Sequence, residues 1–334
     1  MIFEEFRGIK EARAARAAEP GADPEALRRA YLELLKLALC DLVGSTTVSV
    51  GKADDGTVAS RQLAGDELRM RAAGMDWPLQ GLSMVGLNRL DDLQECVDSV
   101  VRDQVPGDVI EAGSWRGGSS MLMRAALDSL GEHQRTVWVA DSFQGFPRGP
   151  GEGEELSEID FLAAPLEEVK ASFARLGLDR GVRFVPGFFE HTLPGLSGRR
   201  WSVVRLDGDT YDATWLGLAA LYPGLEPGGF LIVDDYGAVP ECRRAVEDFR
   251  ERHGIGDPLR DVDWTCVRWQ RTDPSPIEPE VPPPGQMPPA PPPPAPRRVP
   301  SEEELALRRE LDSLRDRPAG ASLGAVRRVL RGRR

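Results

Sequence analysis

From Asp108 to Gln270 short β-branched runs take turns with longer amphipathic stretches. DVIEAG, TVWVAD, VRFVPG, WSVVRLDG and GGFLIVDD are near-continuous apolar runs of strand length, the pattern of strands buried on both faces. SSMLMRAALDSL, LEEVKASFARLG, TWLGLAALYPGL and CRRAVEDFRERHG lie between or after them, with apolar residues at helical spacing. A last strand pair is expected near RDVDWTCVRWQR. Strands alternating with helices predict an α/β fold, with a mostly parallel sheet covered on both faces. Upstream, DPEALRRAYLELLKLALCDLVG reads as a helix, with Asp23 as N-cap and Pro24 in the first turn. Leu27, Tyr31, Leu34, Leu35 and Ala38 share one face of it and form its predicted apolar side. LSMVGLNRLDDLQECVDSVVRDQVPG reads as a second helix, stopped by Pro106 and Gly107. Residues 1–19 have helical propensity, and residues 50–72 are polar and irregular enough to predict a mobile loop.

Composition changes this picture mainly at the C-terminus. Fourteen of the 28 prolines fall between Pro274 and Pro300. Such a stretch behaves as an extended spacer and builds no core. The expected organisation is an N-terminal helical region, 1–72, an α/β domain, 73–271, a Pro-rich linker, 272–300, and a charged helical tail, 301–334. Net charge is −12, but residues 297–334 hold eleven arginines against six acids, which leaves −17 on the body. An acidic body argues against nucleic acid as partner. Cys40, Cys96, Cys242 and Cys266 are widely spaced, which argues against a zinc site. No basic region followed by an apolar run opens the chain, and no stretch is long and apolar enough to span a bilayer. A cytoplasmic location is expected.

The predicted strands end on acids: Glu111 in DVIEAG, Asp141 in TVWVAD, Asp207 with Asp209 in RLDGD, and the pair Asp234 and Asp235. In an open α/β sheet ligands bind beyond the carboxyl ends of the strands, so these acids describe one site. Gly113, Gly117 and Gly118 follow the first strand and allow close backbone approach. The spacing is not the G-x-G-x-x-G of dinucleotide binders, because Trp115 stands where the second glycine belongs. Glu111 would repel a pyrophosphate but suits an amino-bearing ligand, which favours S-adenosylmethionine over NAD. Asp141 is placed to accept the ribose hydroxyls of an adenosine. Asp207, Asp209, Asp234 and Asp235 would repel one another unless a cation neutralises them. Oxygen ligands alone select a hard ion, Mg²⁺ or else Ca²⁺ or Mn²⁺. His191, in FFEHTLP, has the chemistry of a general base, although a lone loop histidine is more often structural. Phe188 and Phe189 are open to adenine stacking or to core packing.

At these residues the chain resembles the macrocin O-methyltransferase (TylF) family. The resemblance rests on GMDWPLQGLSMVGLNRLDDLQECVDSVV, VPGDVIEAGSWRGGSSMLMRAAL, RTVWVADSFQGFP, VVRLDGDTYDATWLGLAALYPGLEPGGFLIVDDYG and CRRAVEDFR, in order, over roughly residues 25–270. It implies a Rossmann-like class I methyltransferase using S-adenosylmethionine and Mg²⁺, with a small glycosylated acceptor. By this resemblance Glu111, Gly113, Ser114, Gly117 and Ser119 belong to the cofactor loop. Asp141 and Ser142 belong to its ribose side, and Met84 with the GMDWP stretch flanks it. Asp207, Asp234 and Asp235 match the metal positions. The catalytic base is one of Asp207 and Asp209, and the choice stays open. A homo-oligomer through N-terminal helices and a lid near residues 45–72 are also implied.

The chemistry that follows is methyl transfer to a sugar hydroxyl, with a metal lowering its pKa and a carboxylate taking its proton. A catechol-type acceptor, or a non-catalytic scaffold working through its tail, are the competing readings. For the tail three readings stand. These are a partner-docking helix on Leu307, Leu311 and Leu314, a membrane-surface contact through Val326, Val329, Leu330 and the arginines, and a disordered solubilising segment.

Overall fold

The computed structural model describes residues 23–52, 58–147 and 154–280. The chain divides into a body, Met1–Ala290, and a C-terminal unit, Pro291–Arg334. The expectations for residues 1–19 and for the tail lie outside the described residues.

The larger of the two sheets has seven strands, in the order β6-β5-β4-β7-β8-β10-β9. Its strands are β4 (Asp108–Ala112), β5 (Val137–Asp141), β6 (Val182–Pro186), β7 (Trp201–Leu206), β8 (Leu225–Val233), β9 (Arg260–Asp261) and β10 (Val267–Gln270). The first five pair in parallel, and β10 runs antiparallel to both β8 and β9. This is the mostly parallel sheet expected from the strand–helix alternation, in the Rossmann-like form that the resemblance implied.

Apolar runs make sense here because alternate residues enter two different cores. In β4, Val109 faces one core while Ile110 and Ala112 face the other. In β8, Phe230 and Ile232 take the first side, Leu231 and Val233 the second. The first side is covered by α1 (Pro24–Leu39), α3 (Gly86–Arg102), α4 (Gly118–Ser129) and α5 (Leu166–Arg175). The second is covered by α6 (Tyr211–Leu221) and α7 (Pro240–Arg252). Register sets Glu111 directly beside Arg205 and Arg205 beside Ile232. The same alternation that buries Val109 and Val203 therefore turns Glu111 and Arg205 to the first face.

Two expectations need correction. Residues 50–52 and 58–72 are regular where an irregular loop was expected. They form β2 (Val58–Ala64), paired antiparallel with β1 (Thr46–Lys52), and the short helix α2 (Leu68–Ala72); residues 53–57 lie outside the described residues. β3 (Trp77–Pro78) completes a small sheet. Only a few side chains of this hairpin are buried, among them Thr47, Val50 and Leu63, so its apolar alternation is faint. Its anchor is polar. Arg71 is 1% exposed, donates to Thr47 Oγ1 (2.9 Å) and the Val48 carbonyl (3.0 Å), and pairs with Asp76 (2.7 Å).

The second correction concerns α1. Leu32, Leu35, Lys36 and Leu39 are its buried residues, while Leu27, Tyr31 and Leu34 are exposed. The buried face was masked in the sequence by Lys36, whose ammonium pairs with Glu33 (2.6 Å) and Asp91. Asp23 caps the helix as expected, accepting from Ala26 N at 2.7 Å.

All four cysteines are buried, with no disulfide among the described residues. No helix among them is long and apolar enough to cross a membrane. Over residues 271–280 the chain stays on the body: Ile277 packs against the second core and Glu280 pairs with Arg252 (2.8 Å).

Candidate active site

The turn after β4 is shaped by crowding. Gly113 has φ +91°, and a Cβ there would stand 1.8 Å from the Asp207 carbonyl of the neighbouring strand end. Gly117, at φ +83°, would meet Phe173 of α5 at 2.7 Å. Both positions therefore require glycine for backbone reasons, whatever ligand the turn holds. Between them Trp115 takes φ +48°, a conformation a bulky side chain adopts at a cost.

Asp141 holds that turn in place. Its Oδ2 accepts from Ser114 N (2.8 Å) and Trp115 N (2.9 Å), and its Oδ1 from Phe143 N (2.7 Å). Burial pushes its carboxyl above the ordinary value, and these amide bonds oppose that push. With three amides on it, and Ser142 Oγ donating to Oδ1 and Ser114 Oγ to Oδ2 at 3.5 Å each, Asp141 cannot receive both ribose hydroxyls as freely as the sequence implied.

A cavity of about 510 Å³ opens beside this turn. Met84, Glu111, Gly113, Ser114, Ser119, Asp141, Ser142, Asp207 and Asp209 all line it. Gly117, Asp234 and Asp235 stand outside that lining, and so does the GMDWP stretch. Phe188 and Phe189 line the cavity, whereas His191 does not.

The acids of β7 and β8 meet where expected. Single carboxylate oxygens of Asp207, Asp234 and Asp235 lie within 4.8 Å of one another. The idea that only an added cation could neutralise them needs correction, because the protein supplies two of its own. Arg205 donates to Asp207 Oδ2 (3.0 Å), to Asp234 Oδ1 and to Glu111 Oε1 (2.8 Å). Arg89 donates to Asp234 Oδ2 and to Asp263 Oδ2 (3.0 Å). Both were missed in the sequence. Their signal was a charged residue on an apolar stripe: Arg205 interrupts SVVRL, and Arg89 shares a helix face with Leu93, Cys96 and Val100.

Two guanidiniums against six carboxylates, Asp263 included, still leave an excess of acid. Burial and neighbouring acids accordingly raise the carboxyls. Glu111 is pushed up to about 7, mainly by burial. Asp207 rises to about 6 through burial and Asp234, and Asp209 to about 8 through burial, Asp207 and Asp234. Asp235 is raised well above its ordinary value by burial and by Asp209, and its Oδ2 is buried with no hydrogen-bond partner among the described residues. Asp209 sits at φ +57°, directly before Thr210, whose Oγ1 caps α6 by accepting from Ala213 N (3.2 Å). A converging set of oxygens, one of them unpartnered and buried, fits a hard divalent cation.

Comparison with known proteins follows the same line. Residues 29–271 match the family described as Macrocin-O-methyltransferase (TylF). The 8-demethyl-8-(2,3-dimethoxy-alpha-L-rhamnosyl)-tetracenomycin-C 4'-O-methyltransferase of Streptomyces olivaceus is 45% identical over 259 residues, covering 74% of this chain and 95% of that protein. The Mycinamicin III 3''-O-methyltransferase of Micromonospora griseorubida is 41% identical over 252 residues, covering 72% and 96%. Among solved structures, the O-methyltransferase NovP superposes with a TM-score of 0.65 at 37% identity, covering 74% of this chain and 100% of that one.

Proposed function

The chain belongs to the macrocin O-methyltransferase family and is an S-adenosylmethionine-dependent O-methyltransferase; from that premise we propose that its acceptor is a sugar hydroxyl on a glycosylated natural product, and that it works with Mg²⁺ held by Asp207, Asp234 and Asp235. The observation that carries this reading is the convergence of three carboxylate oxygens within 4.8 Å, beside the cavity, with Asp235 Oδ2 buried and unpartnered. The Streptomyces olivaceus relative described above is named for a rhamnosyl-bearing acceptor, which supports the acceptor class.

When bound, the cation supplies Lewis-acid polarisation of the acceptor hydroxyl. The remaining work falls to side chains of this chain. The turn at Gly113 and the wall at Met84, Ser119 and Ser142 hold the cofactor. Glu111 faces its amino end, and Asp141 fixes the turn on its ribose side through the Ser114 and Trp115 amides. Asp209 is the base. It lines the cavity and lies outside the metal trio, so it is placed to take the proton without giving up a metal contact. Asp207 then belongs to the metal set. Phe188, Phe189 and Leu162 line the cavity with apolar surface and exclude water from the transfer. The hairpin β1–β2 is the candidate lid. The exposed stripe Leu27, Tyr31 and Leu34 on α1 is the candidate contact for a homo-oligomer.

The test is methyl transfer from S-adenosylmethionine to a panel of deoxysugar-bearing natural products and simple catechols, with Mg²⁺ or with EDTA, read by mass spectrometry. Methylated glycosides that disappear with EDTA support the reading. Methylated catechols alone would move the acceptor to the catechol class. Turnover undiminished by EDTA would remove the metal from it.

A further inference from the structure

Resting on that methyltransferase and metal reading, a finer assignment concerns Arg205. Its side chain is 2% exposed and touches carboxylates that belong to two different jobs. Toward the cavity, Nη1 donates to Glu111 Oε1 at 2.8 Å. Toward the acidic centre, it reaches Asp207 Oδ2 at 3.0 Å, and Nη2 reaches Asp234 Oδ1. Strand register makes this unavoidable, because Arg205 pairs with Glu111 across β4–β7 and shares its face. Two other side chains hold one side each. Ser120 Oγ donates to Glu111 Oε2 alone. Arg89 donates to Asp234 Oδ2, Asp263 and the Gly74 carbonyl (3.1 Å), with no contact to Glu111.

We propose that Arg205 is a positioning residue shared by both halves of the site, aiming Glu111 at the amino end of the cofactor and fixing the spacing of Asp207 and Asp234 for the divalent cation. A guanidinium can do this because its donors form a rigid planar fork; an ammonium in the same place is a point charge and cannot grip three carboxylates at set angles. Charge alone makes the opposite forecast. By charge, Arg205→Lys changes nothing, and Arg205→Met, which removes a cation beside a cation site, tightens metal binding. By positioning, both variants weaken it.

The experiment measures two binding constants on the full chain without turnover. Mn²⁺ alone is titrated by electron paramagnetic resonance, and S-adenosylhomocysteine alone by calorimetry. They are applied to wild type, Arg205→Lys, Arg205→Met, Arg89→Lys and Ser120→Ala, at a temperature where each keeps the wild-type near-ultraviolet circular dichroism. Arg205→Lys is expected to lose about 10–100-fold in Mn²⁺ affinity, the usual scale for groups that orient metal ligands, and to lose S-adenosylhomocysteine affinity as well. Arg89→Lys is expected to lose Mn²⁺ only, and Ser120→Ala S-adenosylhomocysteine only. If both Arg205 variants misfold, Glu111→Gln replaces them. It leaves the guanidinium in place but exchanges its charged partner on the cofactor side for a neutral acceptor, which loosens the grip, so Mn²⁺ affinity is expected to fall although Glu111 is outside the metal trio.

An Arg205→Lys loss confined to one ligand, Mn²⁺ binding tightened in Arg205→Met, or Glu111→Gln with wild-type Mn²⁺ affinity would each overturn the assignment while leaving the methyltransferase standing. Failure of wild type to bind S-adenosylhomocysteine would instead contradict the cofactor reading, and failure to bind Mn²⁺ the metal reading, each taking the assignment with it.

Discussion

Asp141 and Asp235 both follow apolar strands at the same edge of one sheet, yet they are finished differently. Asp141 accepts three backbone amides at 2.7–2.9 Å, so the protein completes its valence. Asp235 has an oxygen that is buried and unpartnered among the described residues. A saturated carboxylate stabilises the fold around it, because each buried donor finds an acceptor. A bare one costs stability and persists where a ligand supplies the missing partner. The contrast separates the two halves of the site. The cofactor turn is built as architecture, and the acidic centre is left open for chemistry.

The largest effect falls on the open half. Asp209→Asn is expected to lower kcat about 10²–10⁴-fold, the span of general-base catalysis, while leaving S-adenosylmethionine affinity near wild type. Asn is the right replacement because Asp209 holds φ +57°, which Asn tolerates, so the backbone is kept and only the proton acceptor is lost. Initial rates and cofactor titration check it. A variant that keeps wild-type kcat would make Asp209 another architectural acid and break the contrast.

Next comes a pair whose stabilities move in opposite directions. Asp141→Asn puts an NH₂ group against at least one of three backbone donors, and is expected to cost about 1–3 kcal/mol of stability and to weaken cofactor binding. Asp235→Asn removes the charge from a buried carboxyl already raised well above its ordinary value. It is expected to raise the Tm in EDTA while abolishing metal-dependent activity. Melting curves of both variants with EDTA decide this. A lowered Tm for Asp235→Asn would show that the bare acid has a partner in solution.

The same logic sets a pH dependence. The unfolded chain releases the protons of Asp207 and Asp209 near 3.8 and that of Glu111 near 4.5, but the folded chain holds them to about 6, 8 and 7 respectively. The folded state thus binds more protons than the unfolded one across that interval, and stability falls as pH rises through it. In EDTA the Tm is expected to drop between about pH 5 and pH 8. Added Mg²⁺, by favouring the charged forms, should flatten the drop. A Tm rising with pH in EDTA would mean these carboxyls are ionised in the folded protein from the start.

Much of this was readable beforehand, for a physical reason. Strands buried on both faces leave continuous apolar runs, and the acids that end them mark the ligand edge of the sheet. What the residues hid was anything decided by partners far along the chain. Arg205 and Arg89 looked like ordinary charges, although each lies on an apolar face and ends up buried among acids. The hairpin β1–β2 was lost because its anchor is the side chain of Arg71, outside both strands. In α1 the buried Lys36 disguised the inner face and turned Leu27 and Leu34 outward.

The smallest effect asks how firmly the open half is held. Asp141 is fixed by three amides on its side chain, while the backbone carrying Asp209 is held by Thr210 N donating to the Gly208 carbonyl (2.7 Å) and by the cap, in which Thr210 Oγ1 accepts from Ala213 N at 3.2 Å. Thr210→Ala is expected to cost about 1 kcal/mol, the usual worth of an N-cap. Because the cap sits next to the base, kcat should fall several-fold with cofactor affinity unchanged. Thr210→Ser keeps the hydroxyl and should restore both stability and rate, which separates the cap from the bulk of the methyl group. If Thr210→Ala lowers stability but spares kcat, Asp209 is positioned by the left-handed turn itself. The open half would then be as rigidly built as the closed one, and the difference between them would lie in charge alone.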